Sequence, residues 1–515
     1  MSEDKKEIYE EHVKDIQQGS IEAIDIGSGL HDGLERSNAD EALNFALQLS
    51  DGKEIDPEAD RKLTRKIDFV VFPVMALVYA AQFLDKTSMS YAAVMGLRSD
   101  MKMEGNMYSW SGTSFYLGYL IFEYPAAWML QRFPLAKTLA AFLIVWGVVL
   151  TLTSVANYAG FIAIRTILGM MESSTSIGFM LLTAQYYHRE QQGSRTSFWV
   201  AFNGSGQIMG GAMAYGLAKR ENSLPIAGWK LVFIICGVIT IFLGILFLVV
   251  IPDNPFKSKF LNDAEKELIV LRLRQNQQGV GNHRFKTYQF VEALKDVRTW
   301  IMFISSVALN IPNGGTTTFS SILIKGTMGY DEFMTLLMGL PAGATEFVGL
   351  ILFGLISPYV KNRMLLASIT TVIALVGSCL MSFAGPPKAQ LAGYYLLMIA
   401  PGAMIVMFSI VSSNVSGHTK KTTVGAIYLI GYCVGNLIGP QTFQDQDAPD
   451  YRPAKIVMVA SYCLTLITLP ALYLVNLREN KRRDRLVQEG LLNHKENSEF
   501  ADLTDKENLE FRYVL

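Results

Sequence analysis

The stretch YAGFIAIRTILGMMESSTSIGFMLLTAQYY, Tyr158–Tyr187, decides how this chain is built. It is long and apolar enough to cross a bilayer, which takes about 20 apolar residues in a helix. Yet Arg165 and Glu172 lie well inside it. A charge at the centre of a bilayer costs roughly 2.5–3.5 kcal/mol on insertion scales, so such residues face a cavity and have a job there. A spacing of seven places the two near one helix face, about two turns and roughly 10 Å apart. The cation suits an anionic solute and the carboxylate suits a proton. The pattern predicts a proton-coupled carrier of organic anions.

Eleven further blocks resemble this one in length and hydropathy. The predicted spans are 67–96, 108–130, 136–155, 158–187, 197–218 and 229–251, then 299–324, 333–360, 364–383, 391–413, 423–443 and 456–477. The expectation is therefore an all-α membrane protein of twelve transmembrane helices in two six-helix bundles. Residues 1–60 carry seventeen Asp+Glu against five Lys+Arg and lack the apolar content to fold, so they read as a disordered acidic tail. The bundles occupy 61–251 and 298–477, with a polar linker at 252–297 and a short charged tail at 478–515. The four cysteines lie in apolar stretches, which argues against a disulfide framework.

Lys and Arg precede the first span at Arg61, Lys62, Arg65 and Lys66, recur in alternate loops, and follow the last span at Arg478, Lys481, Arg482, Arg483 and Arg485. This bias places both termini in the cytoplasm. In the linker, FLNDAEKELIVLRLRQNQQG reads as a helix capped by Asn262 with Glu265 closing a capping box. QFVEALKDV reads as a second short amphipathic helix; both could brace the two halves or form a plain linker. An internal repeat pairs GQIMG (Gly206–Gly210) with GNLIG (Gly435–Gly439), 229 residues further on. Two bundles related by an axis along the membrane normal would place a site between them, near the midplane.

Six deep charges carry most of the functional signal: Asp85, Lys86, Glu123, Arg165, Glu172 and Glu346. In AAQFLDKTSMSYA, Gln82, Asp85 and Lys86 enter the membrane, and Asp85 lies roughly 25 Å along its helix, a depth that Arg165 should match from the other side. Asp85 and Glu172 are the candidates for proton coupling. Arg165, which can grip a carboxylate with two parallel donors, leads the candidates for substrate binding. Lys86, Gln82, Asn203, Gln207, Asn313 and Asn436 join it. Each amide also reads as an interhelical hydrogen bond. NIPNGGTTTF predicts a broken seventh helix at Pro312. Glu123 reads as a gating or helix-pairing residue and Glu346 as a structural hydrogen bond. No Walker motif and no Cys/His metal spacing is present, so neither ATP-driven pumping nor a cofactor is expected.

At these residues the chain resembles the major facilitator superfamily, and within it the anion:cation symporter branch and the fungal allantoate permease family. YLGYLIFEYPAAWMLQRFP, RTILGMMES, WKLVFIICGVIT with IPDNP, SSNVSGHTKK and IYLIGYCVGNLIGPQTFQDQDAPDY carry the resemblance. It implies the major facilitator fold, and anion binding and proton coupling by Asp85, Lys86, Arg165 and Glu172. Lys86 stands where many members have Arg, and Ser88 where others have Asn. The family implies uptake at a fungal plasma membrane of allantoate, another ureide, a vitamin-like acid or a similar small carboxylate. The expected partners are that anion, a proton and the lipid bilayer, with no nucleic acid and with the monomer as the working unit. Efflux of a metabolite or drug is the second reading and a non-transporting nutrient receptor the third. The tails are short for a receptor, and no nucleophile–base pair suggests an enzyme.

Overall fold

The computed structural model describes residues 56–255, 258, 260–275, 286–360, 362–489 and 503–515. The acidic segment anticipated at 1–60 falls almost wholly outside them. The described residues contain helices and no strands. The twelve long helices are α1 (Pro57–Ala92), α2 (Met107–Arg132), α3 (Leu135–Leu152), α4 (Tyr158–Tyr186), α5 (Arg189–Ala218) and α6 (Gly228–Val250), then α7 (Val297–Gly326), α8 (Glu332–Met338 with Leu340–Ile356), α9 (Arg363–Phe383), α10 (Pro387–Leu397 with Pro401–Asn414), α11 (His418–Gln441) and α12 (Arg452–Gln488). Nine are apolar enough to cross a membrane by length and composition alone. The three others, α2, α5 and α7, are 26, 30 and 30 residues long. They are long enough to span but fall short of that apolarity.

Helix pairing is shared in part between the halves. α1 packs on α5 and α3 on α6, as α7 packs on α11 and α9 on α12; α2 packs closely on α4, whereas α10 packs mainly on α9 and only lightly on α8. The halves meet through α2 against α11 and α5 against α8. The glycine repeat explains the register. A side chain at Gly206 on α5 would collide with the Ala80 carbonyl of α1, and one at Gly435 on α11 would lie 2.5 Å from the Val307 carbonyl of α7. Each glycine thus does the same work in its own bundle, letting two backbones touch.

α7 is unbroken, contrary to the sequence expectation. It runs through Pro312. The Thr316 hydroxyl donates to the Pro312 carbonyl at 2.7 Å, and the Asn310 amide donates to the Ser306 carbonyl at 2.7 Å, so nearby side chains serve the backbone around the proline. Gly314 and Gly315 do not break the helix; they admit α11, since a Cβ at either would lie 2.7 Å from Asn436 or Phe443.

Both described ends of the chain lie on one face, here the terminal face. The linker helix Asp263–Gln275 starts with the anticipated reciprocal box: Glu265 N–H donates to Asn262 Oδ1 and Asn262 N–H to Glu265 Oε2, both at 2.8 Å. It grips the first bundle through Lys66–Glu265 (2.7 Å) and through Arg272, whose guanidinium donates to Asp60 (2.7 Å), Thr64 and the Tyr186 carbonyl. Burial pushes the Asp60 carboxyl up, but the His188 and Arg272 hydrogen bonds outweigh it and hold the carboxyl below its usual range. The second linker helix, Thr287–Lys295, grips the second bundle through Glu292–Lys420 (2.8 Å) and the Gln289 amide oxygen, which accepts from Thr419 N–H (3.0 Å).

The tail forms part of the second bundle. Residues 503–515 return to its terminal face, where buried Asp505 meets Lys420 at 2.7 Å, Arg298 at 3.3 Å and the Tyr513 hydroxyl at 2.7 Å. The Tyr513 ring lies 3.9 Å from the Arg298 guanidinium and 4.8 Å from that of Arg483. Asn414 exchanges two hydrogen bonds with Val514, at 2.9 and 2.7 Å.

Removing one partner of a buried ion pair strands the other charge, at a cost of about 3–5 kcal/mol. Asp505→Asn is therefore expected to lower the Tm of the detergent-purified carrier by several degrees and to expose residues 503–515 to protease. An unchanged Tm and cleavage pattern would show that the tail docks without Asp505.

Candidate functional site

Close packing of α2 on α4 fixes the floor of the site. A side chain at Gly118 would collide with the Thr166 carbonyl, and one at Gly169 with the Phe115 carbonyl. With the backbones in contact, the Phe115 ring lies beneath two cations, 5.0 Å from the Arg165 guanidinium and 5.9 Å from Lys86 Nζ. The negative face of an aromatic ring favours such neighbours.

Four charges from α1 and α4 gather above it. Lys86 Nζ lies 2.8 Å from Glu172 Oε1, and Gln82 Nε2 donates to the same oxygen at 2.8 Å. Arg165 Nη1 lies 4.0 Å from Asp85 Oδ1, an ion pair too long for a hydrogen bond. The indole N–H of Trp146 on α3 donates to Asp85 Oδ2 at 2.7 Å. Asp85, Arg165 and Glu172 are all buried. The cluster is balanced, with two carboxylates and two cations. Its hydrogen bonding is nonetheless incomplete: Asp85 Oδ1, Glu172 Oε2 and Arg165 Nε and Nη1 have no hydrogen-bond partner among the described residues. Buried polar atoms are nearly always paired in stable cores, so open valences in a charged cluster mark places for a ligand, a proton or water. The serines flanking Glu172 do not fill them, because Ser173 and Ser174 donate back to the Met170 and Met171 carbonyls, each at 2.8 Å.

The structure separates the candidate amides. Gln82 belongs to the charge cluster. Asn313 donates to Asn436 at 2.9 Å, and Asn436 donates to Asn310 at 3.2 Å, so these three tie α7 to α11. Gln207 on α5 bridges to the second bundle, donating to the Tyr394 hydroxyl at 3.1 Å and facing the Gly339 carbonyl at 3.4 Å. Asn203, one turn earlier, faces the Glu346 carboxyl. The Asn203 amide is the neighbour placed to serve Glu346, as the structural reading expects, but at strict hydrogen-bond geometry neither of its buried oxygens has a partner among the described residues. Glu123 pairs helices, accepting from the Cys433 thiol of α11 at 3.7 Å.

A cavity of about 40 Å³ lies between the halves, lined by Phe83, Thr87, Gln207, Asn313, Glu346 and Tyr394 among others. That is room for roughly two or three waters. Bonds joining the bundles concentrate toward the face opposite the termini: Arg98–Asp445 (2.9 Å), Tyr108 to the Thr318 carbonyl (2.8 Å), Ser109 to the Phe443 carbonyl (2.8 Å) and Ser90 with Ser320 (3.1 Å).

Sequence reasoning missed Trp146 and Phe115, which sit in apolar runs and look like packing. The signal for Trp146 was its own N–H, a donor that needs an acceptor at midmembrane depth.

A twelve-helix membrane fold with balanced charges buried in its first bundle defines a solute carrier and not an enzyme. Residues 75–440 match the Major Facilitator Superfamily, and the chain belongs to it. It is 65% identical to an uncharacterized transporter of Schizosaccharomyces pombe over 98% of this chain and 99% of that one. It is 47% identical to the allantoate permease of Saccharomyces cerevisiae over 92% and 90%, and 33% identical to the thiamine pathway transporter of the same yeast over 89% and 87%. Among solved structures, a proton:xylose symporter aligns with a TM-score of 0.63 at 14% identity, covering 79% of this chain and 95% of that one. A bacterial homolog of the human lysosomal transporter Spinster, in an inward-facing form, aligns with a TM-score of 0.56 at 17% identity, covering 78% and 96%. These two share the fold.

Two substitutions test the site's construction. Gly169→Ala places a methyl against the Phe115 carbonyl and should cost about 1–3 kcal/mol of stability, read as a lowered Tm and reduced yield of folded carrier. Trp146→Phe keeps a ring but removes the donor to Asp85, and should cost about 1–3 kcal/mol. In an Asp85→Asn background, itself destabilised because Arg165 loses its partner, Trp146→Phe should cost less than it does alone, because the bond it removes is weaker there. Strictly additive losses in this double-mutant cycle would show that the indole–carboxylate bond is not what matters.

Proposed function

We propose that the protein imports a small organic anion together with a proton, at a fungal plasma membrane, with both termini in the cytoplasm. The observation that carries this reading is the balanced cluster of Asp85, Lys86, Arg165 and Glu172. At zero net charge it holds both of its cations against its own carboxylates. Protonating either carboxylate leaves one positive charge in excess and frees a cation for an incoming anion. Proton and anion thus bind together more favourably than either alone, which is the thermodynamic content of symport.

In this reading Asp85 and Glu172 couple the proton. Arg165, with Nε and Nη1 unpartnered, receives the substrate carboxylate, and Lys86 and Gln82 assist once Glu172 releases them. Gln207 and Asn313 stand at the cavity and contact the solute, with Asn436 holding Asn313 from behind and Asn203 assisting beside Glu346. The allantoate permease relative supports a ureido or similar small carboxylate as the solute. The monomer suffices, since the cluster is complete within one chain.

Uptake of labelled carboxylates by cells lacking endogenous permeases tests this. Accumulation should rise as external pH falls and collapse with a protonophore. Glu172→Gln mimics the protonated state and should abolish accumulation while preserving exchange of substrate across the membrane. Arg165→Lys keeps the charge but loses the planar fork, so affinity should fall about tenfold or more. Concentrative uptake indifferent to the protonophore, or an amide analogue that competes as well as the acid, would remove the proposal.

A further inference from the structure

α12 is longer than a bilayer needs, and its outer face changes character along its length. Leu464, Ile467 and Leu474 form an exposed apolar stripe suited to acyl chains. Beyond Leu474 the same stripe continues at spacings of four, four and three through Arg478, Arg482 and Arg485, all exposed. At 3.6 residues per turn these positions stay on one face, and at 1.5 Å per residue the three arginines span about 10 Å of helix. A row that meets hydrocarbon at one end is therefore a ladder of guanidinium groups at the other.

The ladder lines a groove of about 670 Å³ on the terminal face, between the end of α12 and Arg298 at the start of α7, with Val475 and Leu486 as its apolar lining. Arg298 is 8% exposed, and its Nε has no hydrogen-bond partner among the described residues. Its charge is met by Asp296 and Asp505, at 3.6 and 3.3 Å. Of the two carboxylates in the groove, Glu479 is held at 3.1 Å by Arg483, which leaves Glu489. Arg478 and Arg485 have no ion-pair partner among the described residues, and Arg482 reaches Glu479 at 3.5 Å. Arg483 shows the contrast: on the other side of α12, it donates to the Asp505 and Phe511 carbonyls of the docked tail. The groove thus keeps positive charge in excess. Its depth is marked by Trp300, two residues beyond Arg298, exposed and with its N–H donating to the Leu294 carbonyl at 2.8 Å. Tryptophan so placed belongs at the headgroup level of a membrane.

Resting on the placement of both termini in the cytoplasm, we propose that this groove binds an anionic phospholipid of the cytoplasmic leaflet. Arg478 and Arg482 take its phosphate, Arg485 and the open Arg298 donor face the outer part of the headgroup, and an acyl chain lies along Leu474 and Ile467. Guanidinium groups suit phosphate because they offer two parallel donors. Each basic residue near an anionic leaflet strengthens attraction about fivefold. Charge that only oriented the chain in the membrane would need neither a common face nor a groove. The continuity of the ladder with the apolar stripe selects a lipid over a soluble phosphate ester, which has no use for exposed leucine.

The purified full-length carrier is titrated in detergent micelles with phosphatidylserine or phosphatidylcholine, and retained lipid is counted by native mass spectrometry. Wild type should prefer phosphatidylserine by about tenfold or more, and less so at high salt. Arg478→Gln should weaken phosphatidylserine about fivefold, and Arg478→Gln with Arg482→Gln should erase the preference. Both side chains are exposed, so these variants should fold. Arg61→Gln with Lys62→Gln removes two exposed cations from the first bundle and should leave the preference intact. A wild type without preference overturns the proposal. So does an equal loss in the Arg61 and Lys62 variant, which would make the attraction a diffuse property of the face. Glycerophosphoserine, the headgroup without acyl chains, should fail to displace the lipid; displacement at matching concentration would make the ligand a soluble ester and overturn the lipid assignment. Micelles have no sides, so the leaflet is decided separately. An epitope after Leu515 should be closed to antibody until cells are permeabilised; if it is open in intact cells, the cytoplasmic placement fails while the micelle titration still decides the site.

Discussion

Everything at the centre of this molecule depends on keeping four charges alive where water is largely shut out. The desolvation of a single ion costs several kcal/mol even after the protein relaxes, and attraction between buried opposites repays it only when geometry and extra hydrogen bonds are good. Here the repayment is uneven. Lys86 and Gln82 hold Glu172 at hydrogen-bonding distance, whereas Arg165 and Asp85 stand 4.0 Å apart with valences open on both. A cluster built only for stability would close that gap. One held slightly open is ready to exchange an internal partner for an external one.

That readiness requires a stiff frame, and glycine provides it. Gly118 and Gly169 bring α2 and α4 into backbone contact, which sets Phe115 beneath Arg165 and Lys86. Gly206 and Gly435 do the same for α1 with α5 and α7 with α11. In a membrane no hydrophobic force drives helices together, so close approach and van der Waals contact must do so. The charges can remain under-bonded because the helices that carry them cannot drift.

The twelve spans, the two-bundle fold and the charges on α1 and α4 were legible in the sequence, because membrane-length apolar runs make every buried charge conspicuous. Arg165 and Glu172, seven residues apart, showed even that they share a face. What stayed hidden was whatever depends on contacts between helices. Trp146 looks apolar until Asp85 is found beside it. The proline and glycines of NIPNGG look like a break until α11 is seen filling the space they leave. Glu346 gave no sign of its neighbours, Asn203 and Lys86, because both come from the other half of the chain. The tail read as a loose charged end, since nothing local connects Asp505 to Lys420 and Arg298, 85 and 207 residues earlier in the chain.

The arrangement of contacts also bears on how the halves move. Bonds between the bundles gather toward the face opposite the termini, where Arg98–Asp445 and Ser90–Ser320 join them. On the terminal face the first linker helix grips the first bundle through Arg272 and Asp60, and the second grips the second bundle through Glu292 and Lys420. Each brace stiffens its own half. Rocking about the cavity would then break a small set of identifiable bonds on one face while leaving both braces and the glycine crossings intact. The cavity itself, at about 40 Å³, has room for only a few waters. Separation of the halves would enlarge it, and the energy of that separation falls on those few interbundle bonds.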